Sequence, residues 1–208
     1  MNTTTTTATV NVINNNVATS QDLAVIEKIA LDKLNKTAAK TDLDDLLRGA
    51  RRSLLLLDCS SSMGLSVGYS TTRRIDALRK VTEELVQTHP VPMAAFGGSN
   101  QVEIVEAPIE PVGGTPLHIA IDFGREQGAN HLAVVTDGEP DSESAAFAAA
   151  RQFSNPIDVF YVGNPNGRGA TFAKELAKMT GGEAHITTLD KPKELKAKLA
   201  GLLGDGSL

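Results

Sequence analysis

The hydrophobic positions of this chain change their spacing at about residue 52. After that point, short apolar runs alternate with stretches in which apolar residues recur at helical spacing. The runs at 54–57 and 131–136 are typical of strands buried on both faces, as in a parallel sheet covered by helices. Residues 73–88 give the clearest helical pattern, because their apolar side chains share one face: Ile75, Leu78, Val81 and Leu85.

The remaining elements continue this alternation. Further strands are predicted at 91–96, 102–107, 157–162 and 184–188, and further helices after Pro116 and at 141–152, 171–179 and 193–203. Only residues 97–101 separate the second strand from the third, which predicts an antiparallel hairpin. The expected fold class is therefore α/β: a doubly wound, mostly parallel sheet with one antiparallel edge strand and helices on both faces, Rossmann-like in architecture.

The region before residue 52 has a different character. Residues 1–19 form a low-complexity Thr/Asn-rich arm that we expect to be flexible, although residues 9–13 alternate weakly as a strand would. Such an arm either stays a tail or orders by adding a strand to the sheet edge of a partner. The chain is predicted to continue with a helical extension at residues 20–51 and the α/β domain at residues 52–203. Residues 204–208 are predicted to form a frayed tail.

Composition and charge narrow the class of function. The 208 residues include 20 basic and 25 acidic side chains, for a formal net charge of -5. Binding to nucleic acid or to an anionic membrane needs clustered Lys and Arg, so we expect neither partner. The single cysteine excludes an intrachain disulfide, and the N-terminus lacks the pattern of a signal peptide. We therefore expect a cytoplasmic protein, or a virion protein if a phage encodes it.

Polar side chains are concentrated where three predicted elements begin or end. Asp58, Ser60 and Ser62 follow the first strand, Thr115 precedes a helix, and Asp137 follows the fourth strand. The carboxyl ends of parallel strands meet at one rim of an open α/β sheet, where ligands bind. Alternate positions of an extended segment share a face, so the first three side chains can point to one location.

Oxygen atoms of this kind are ligands for a hard divalent cation. We expect Mg²⁺, with Mn²⁺ or Ca²⁺ as alternatives, because Mg²⁺ keeps waters and leaves positions for an oxygen of a partner. A zinc site is not expected, because the four histidines are scattered along the chain: His89, His118, His131 and His185.

Several of these positions also have a purely structural interpretation. Ser62 and Thr115 are suitable helix caps, and Asp137 is followed by glycine, as in ordinary turns. Asp141 is predicted to cap the helix that follows it. Cys59 is predicted to point into the core as a small apolar residue.

The stretch DCSSSM, which begins at Asp58, resembles the D-x-S-x-S motif of von Willebrand factor A (VWA) domains. In that family the motif forms the metal-ion-dependent adhesion site (MIDAS). GGTPL, which contains Thr115, and VVTDGEPD, which contains Asp137, resemble the two later loops that complete the site. The resemblance covers roughly residues 52–203.

The resemblance implies a role for each matching residue. Ser60, Ser62 and Thr115 would offer hydroxyl oxygens to the metal, while Asp58 and Asp137 would bind it directly or through water. It also implies that an Asp or Glu carboxylate of a protein partner fills the remaining coordination position.

The expected function is therefore a metal-dependent protein-binding module that mediates protein–protein interaction or complex assembly. An enzyme is not expected, because Ser60 lacks a G-x-S-x-G elbow and a second Asp two residues after Asp58 is missing. The alternative is a structural component of a phage particle or other large assembly, anchored by the N-terminal arm, with self-association as one form of it.

Overall fold

The computed structural model describes residues 52–67, 70–98, 101–189 and 191–204. The predicted arm at 1–19 and the helical extension at 20–51 lie outside this part of the chain. So does the predicted tail at 204–208, except for Gly204, which is the last residue of a helix.

Six strands form one mixed sheet. They are β1 (Ser53–Asp58), β2 (Met93–Gly97), β3 (Gln101–Val105), β4 (His131–Thr136), β5 (Ile157–Tyr161) and β6 (Ala184–Ile186). Their order across the sheet is β3-β2-β1-β4-β5-β6. Within the described residues β3 alone is antiparallel to its neighbour, which confirms the predicted hairpin and edge strand.

Five α-helices and one short 3₁₀ helix (Ser61–Gly64) accompany the sheet. The α-helices are α1 (Arg74–Val86), α2 (Leu117–Glu126), α3 (Glu143–Phe153), α4 (Arg168–Thr180) and α5 (Pro192–Gly204). Helices α2, α3 and α4 pack on one face of the sheet, and α1 and α5 on the other. The doubly wound α/β fold is thus confirmed. In the described part of the chain, no helix is long and apolar enough to cross a membrane.

The central strand β1 is anchored by its four leucines. Leu54 and Leu56 pack in the core cluster on the side of α2, while Leu55 and Leu57 pack in the cluster on the side of α1. This alternation follows from the two-residue period of a strand. Burying one leucine side chain contributes roughly 1.5–3 kcal/mol. The burial of these four therefore fixes where β1 ends, and with it the position of Asp58.

Strands β1 and β4 are neighbours at the centre of the sheet. From β1 the chain continues to β2 on one side, and from β4 it continues to β5 on the other. A sheet of this topology has a crevice at the carboxyl ends of the two central strands. Asp58 ends β1 and Asp137 directly follows β4, so both carboxylates lie at this crevice.

A chain of buried and partly buried hydrogen bonds joins β1, β4 and β5 near their amino ends, at the opposite side of the sheet from the crevice. The hydroxyl of Ser53 lies 2.8 Å from Nδ1 of His131, and Nε2 of His131 lies 2.7 Å from Oδ2 of Asp158. Oδ1 of Asp158 also accepts a hydrogen bond from the backbone N–H of Glu183. Because His131 and Asp158 are buried, these bonds satisfy polar groups inside the sheet.

Candidate metal centre

Asp58 places a negative charge at the bottom of the crevice, where it is fully buried. Its Oδ1 accepts a hydrogen bond from the backbone N–H of Ser60 (2.8 Å), and its Oδ2 accepts one from the hydroxyl of Thr136 (2.5 Å). Burial raises the pKa of Asp58 to about 6; the bonds from Ser60 and Thr136 oppose the shift, and the nearby Asp137 adds to it. The environment of Asp58 therefore favours either a proton or a nearby cation.

The loop after β1 turns two serine hydroxyls towards the same crevice. The Oγ atoms of Ser60 and Ser62 lie 3.0 Å apart, and Ser62 donates a hydrogen bond to Oδ1 of Asp137 (2.6 Å). The intervening Ser61 is exposed, while Cys59 is buried in the core as expected. Burial raises the pKa of the Cys59 thiol to about 12, so this side chain packs as an apolar group.

Asp137 forms an ion pair with Arg74, the first residue of α1. Its carboxylate is completely buried, whereas the side chain of Arg74 is 27% exposed. A guanidinium therefore provides a positive charge next to one of the two carboxylates. The sequence pattern gives no signal for Arg74, because its proximity to Asp137 depends on how the loop after β4 meets the start of α1.

Thr115 is held in place by Asp141. The backbone N–H of Thr115 donates to Oδ1 of Asp141 (2.8 Å), and the N–H of Asp141 donates to the carbonyl of Thr115 (3.0 Å). A Cβ atom at Gly114 would lie 2.5 Å from Oδ1 of Asp141, so glycine is needed for this approach. The prediction that Asp141 caps the following helix was wrong. Ser142 is the cap of α3, and it accepts a hydrogen bond from the N–H of Ala145 (3.2 Å).

The loop before Thr115 is bonded to the loop after β1. The N–H of Ser61 donates to the carbonyl of Gly113 (3.0 Å), and the N–H of Val112 donates to the carbonyl of Cys59 (2.8 Å). Gly113 has φ 65°, and a Cβ atom there would lie 2.2 Å from Cα of Gly98. The glycine pair of GGTPL thus allows two backbones to touch, which brings Thr115 to the crevice.

The hydroxyls of Thr115 and Ser62 face a common space above Gly138. A Cβ atom at Gly138 would lie 3.6 Å from Oγ1 of Thr115 and 3.7 Å from Oγ of Ser62. Thr115 itself is 6% exposed. The structure therefore brings together the five residues that the sequence singled out, from three separate loops: Asp58, Ser60, Ser62, Thr115 and Asp137.

The chemistry of this set fits a hard divalent cation. It offers two carboxylates and three hydroxyls, and Ser62 donates its proton to Asp137, so its oxygen accepts from the Ser60 hydroxyl and keeps one lone pair available. In the described residues there is no group of three or more His, Cys, Asp and Glu side chains that could hold a metal ion. Mg²⁺, Mn²⁺ and Ca²⁺ prefer oxygen ligands of the kind found at this crevice.

Two large apolar side chains are exposed in the loops that form the site. Leu65, just after the 3₁₀ helix, is 58% exposed, and Val112, in the loop that leads to Thr115, is 55% exposed. The N–H of Arg74 donates to the carbonyl of Leu65 (2.9 Å), which connects this residue to the ion pair. The polar crevice therefore has apolar surface in the loops around it.

No protein-family model and no curated protein matches this chain. Its fold is similar to that of solved structures, among them the D319A mutant of the PilB minor pilin from Streptococcus sanguinis. That pair has 13% sequence identity and a TM-score of 0.51, with 72% of this chain and 60% of that chain covered.

Two further structures are similar at the same level. Proximal thread matrix protein 1 from the mussel byssus has 13% identity and a TM-score of 0.51, with 73% of this chain and 45% of that chain covered. The vWF domain of the type V pili tip protein Mfa5 from Porphyromonas gingivalis has 10% identity and a TM-score of 0.50, with 75% of this chain and 97% of that chain covered. At such identities the likeness shows the fold alone, which is VWA-like.

Proposed function

We propose that this chain is a protein-binding module that holds a divalent cation at the carboxyl rim of its sheet. The residues that would hold the cation are Asp58, Ser60, Ser62, Thr115 and Asp137. The observation that carries the proposal is the convergence of their side chains at the switch point between β1 and β4. Mg²⁺ is the first candidate, with Mn²⁺ and Ca²⁺ as alternatives.

The bound cation would supply a charged, incompletely coordinated centre for an Asp or Glu side chain of a protein partner. The two carboxylates of the chain would neutralise the charge of the cation. Burial of Asp58 supports this role, because a nearby cation would offset the cost of a buried negative charge that otherwise raises the pKa of this carboxyl to about 6. Leu65 and Val112 would then contact the apolar surface around the carboxylate of the partner.

Binding is better supported than catalysis at this rim. The hydroxyl of Ser60 contacts the hydroxyl of Ser62 rather than an imidazole that could act as its base. Two of the structural neighbours are named as pilus proteins and the third as a matrix protein of the mussel byssus. These names support a role in protein interaction or in the assembly of a larger complex.

Co-purification of partners with the full chain tests this function. In Mg²⁺ buffer we expect partners to be retained by the wild type and lost in EDTA or in the Asp58→Ala variant. Glu175→Ala, which removes an exposed carboxylate on α4, is the matched control and should retain the same partners. Retention in EDTA and in Asp58→Ala alike would overturn the proposed function.

A further inference from the structure

Strand β3 is an edge of the sheet. It pairs with β2 on one side, and within the described residues no strand pairs with its other side. Three of its five residues are exposed, and one of these is Ile104 at 55%. The outer backbone groups of an edge strand are a template for pairing with an extended chain.

A groove with acidic walls lies between this edge and α2. Its volume is about 470 Å³, and its floor includes Val102 and Phe123. Glu103, Asp122 and Glu126 also line it, and no Lys, Arg or His side chain does. Asp122 is paired with Arg125 (3.0 Å), whereas Glu103 and Glu126 form no ion pair with other described residues. The groove therefore suits a long basic side chain with an aliphatic stem.

A second groove lies at the end of β3, next to the last residue of α1 and the segment before β2. Its volume is about 410 Å³, and its lining is mainly apolar, including Val86, Val91 and Val105. Successive side chains of a strand point to opposite faces of the sheet. A strand added along β3 would therefore present alternate side chains to α1 on one face and to α2 on the other.

We propose that the β3 edge is a second protein-binding surface, which takes an extended segment of a partner protein by strand addition. The partner segment alternates apolar and basic residues. Its apolar side chains cover the groove lined by Val91 and Val105, and its basic side chains reach Asp122 and Glu126 on α2. Backbone hydrogen bonds supply affinity, and the two grooves select for a segment in which apolar and basic residues alternate.

Charge distinguishes this partner from the N-terminal arm of the chain itself. Residues 1–27 contain no Lys or Arg, so the alternating segment at 9–13 has no basic side chain that could pair with the acidic side chains of the groove. The surface lies on the sheet edge rather than at the crevice between β1 and β4. Its function is therefore independent of a metal.

Synthetic peptides test the proposal on the full chain in EDTA, which removes any contribution of the metal site. One probe alternates Lys and Val over seven residues, and a second has the same composition in two blocks. We expect the alternating peptide to bind, with slower hydrogen exchange of the amides at 101–105, and the block peptide to bind at least about tenfold more weakly. Equal binding of the two peptides would overturn the proposal.

Charge reversal on the protein provides the matched control. Glu126→Lys should weaken binding of the alternating peptide by about tenfold, whereas Glu175→Lys, on the distant α4, should leave it unchanged. Equal losses in the two variants would show attraction to the net charge only and would contradict the proposal. A peptide of residues 7–15 of this chain that bound more tightly than the Lys-Val peptide would assign the edge to the N-terminal arm instead.

Discussion

At the residue scale, Asp58 places a buried carboxyl group at the carboxyl rim of the sheet, where its negative charge opposes the stability of the fold. Its carboxylate is fully buried, and it accepts hydrogen bonds from neutral groups of Ser60 and Thr136. A buried charge without a counter-ion is costly, which is why its pKa rises from 3.8 to about 6. A cation at the crevice would remove this cost, so folding and metal binding are expected to be coupled at this residue.

The variant Asp58→Asn tests this coupling in EDTA. The pKa of Asp58 is higher in the folded protein than the ordinary 3.8, so the folded state holds the proton more tightly. The stability due to this group is therefore complete below pH 3.8 and is lost as the pH rises through about 6. At pH 7 the free energy of unfolding of Asp58→Asn should be about 1–3 kcal/mol higher than that of the wild type.

Denaturant titrations at several pH values measure this difference. The gap between Asp58→Asn and the wild type should narrow as the pH falls from 7 to 4, because the wild-type carboxyl then becomes neutral. Asn keeps an acceptor for the N–H of Ser60, so that hydrogen bond is retained. A variant less stable than the wild type at pH 7 would contradict the interpretation.

Arg74 gives a second prediction at the residue scale. Its guanidinium pairs with the buried Asp137, and a cation bound there would have to share that carboxylate. Arg74→Gln should therefore tighten Mg²⁺ binding by about three- to tenfold, as measured by isothermal titration calorimetry. Arg125→Gln is the control, since Arg125 pairs with the exposed Asp122 away from the crevice. Weaker Mg²⁺ binding in Arg74→Gln would show that the arginine supports the site instead of competing with the metal.

At the scale of elements, three loops form the site because short backbone contacts lock them together. The loop that contains Gly113, Gly114 and Thr115 is bonded to the loop after β1 and to Asp141, which precedes the cap of α3. These contacts leave no room for side chains at either glycine. Asp141 therefore positions Thr115 without being one of the five candidate ligands.

Asp141→Ala tests this positioning role. The N–H of Thr115 would lose its acceptor, so the Thr115 hydroxyl should be less well fixed and Mn²⁺ binding about tenfold weaker. The melting temperature without metal should fall by only a few degrees, because the substitution removes a single hydrogen-bond acceptor on an exposed residue. Glu143→Ala, which removes the neighbouring exposed partner of Arg168, should bind Mn²⁺ as the wild type does. Equal binding by both variants would contradict the role of Asp141.

The elements themselves could be predicted because their signals are local. The run of leucines in β1 is enough to predict a strand buried on both faces, as in a parallel sheet. The short connection between β2 and β3 is enough to predict that these two strands are antiparallel. Arg74 and Asp141 could not be found in this way. Each acts on a residue far along the chain, Asp137 and Thr115 respectively, and such contacts exist only once the loops are packed.

At the scale of the whole molecule, the two proposed protein-binding sites lie on separate surfaces of the fold. The carboxyl rim carries the candidate metal centre, and the β3 edge carries the proposed strand-addition site. The structural neighbours support the architecture, although the chain spans only 60% and 45% of the first two. Two surfaces would allow one chain to connect two partners, which suits a role in assembly.

Titration of the full chain with Mn²⁺, with free Mn²⁺ followed by electron paramagnetic resonance, tests the central claim most directly. We expect one Mn²⁺ site per chain that Mg²⁺ displaces and that is lost in Asp58→Ala and in Ser60→Ala, while Glu175→Ala binds normally. An absence of binding by the wild type, or equal binding by Asp58→Ala, would contradict a metal centre formed by the five rim residues.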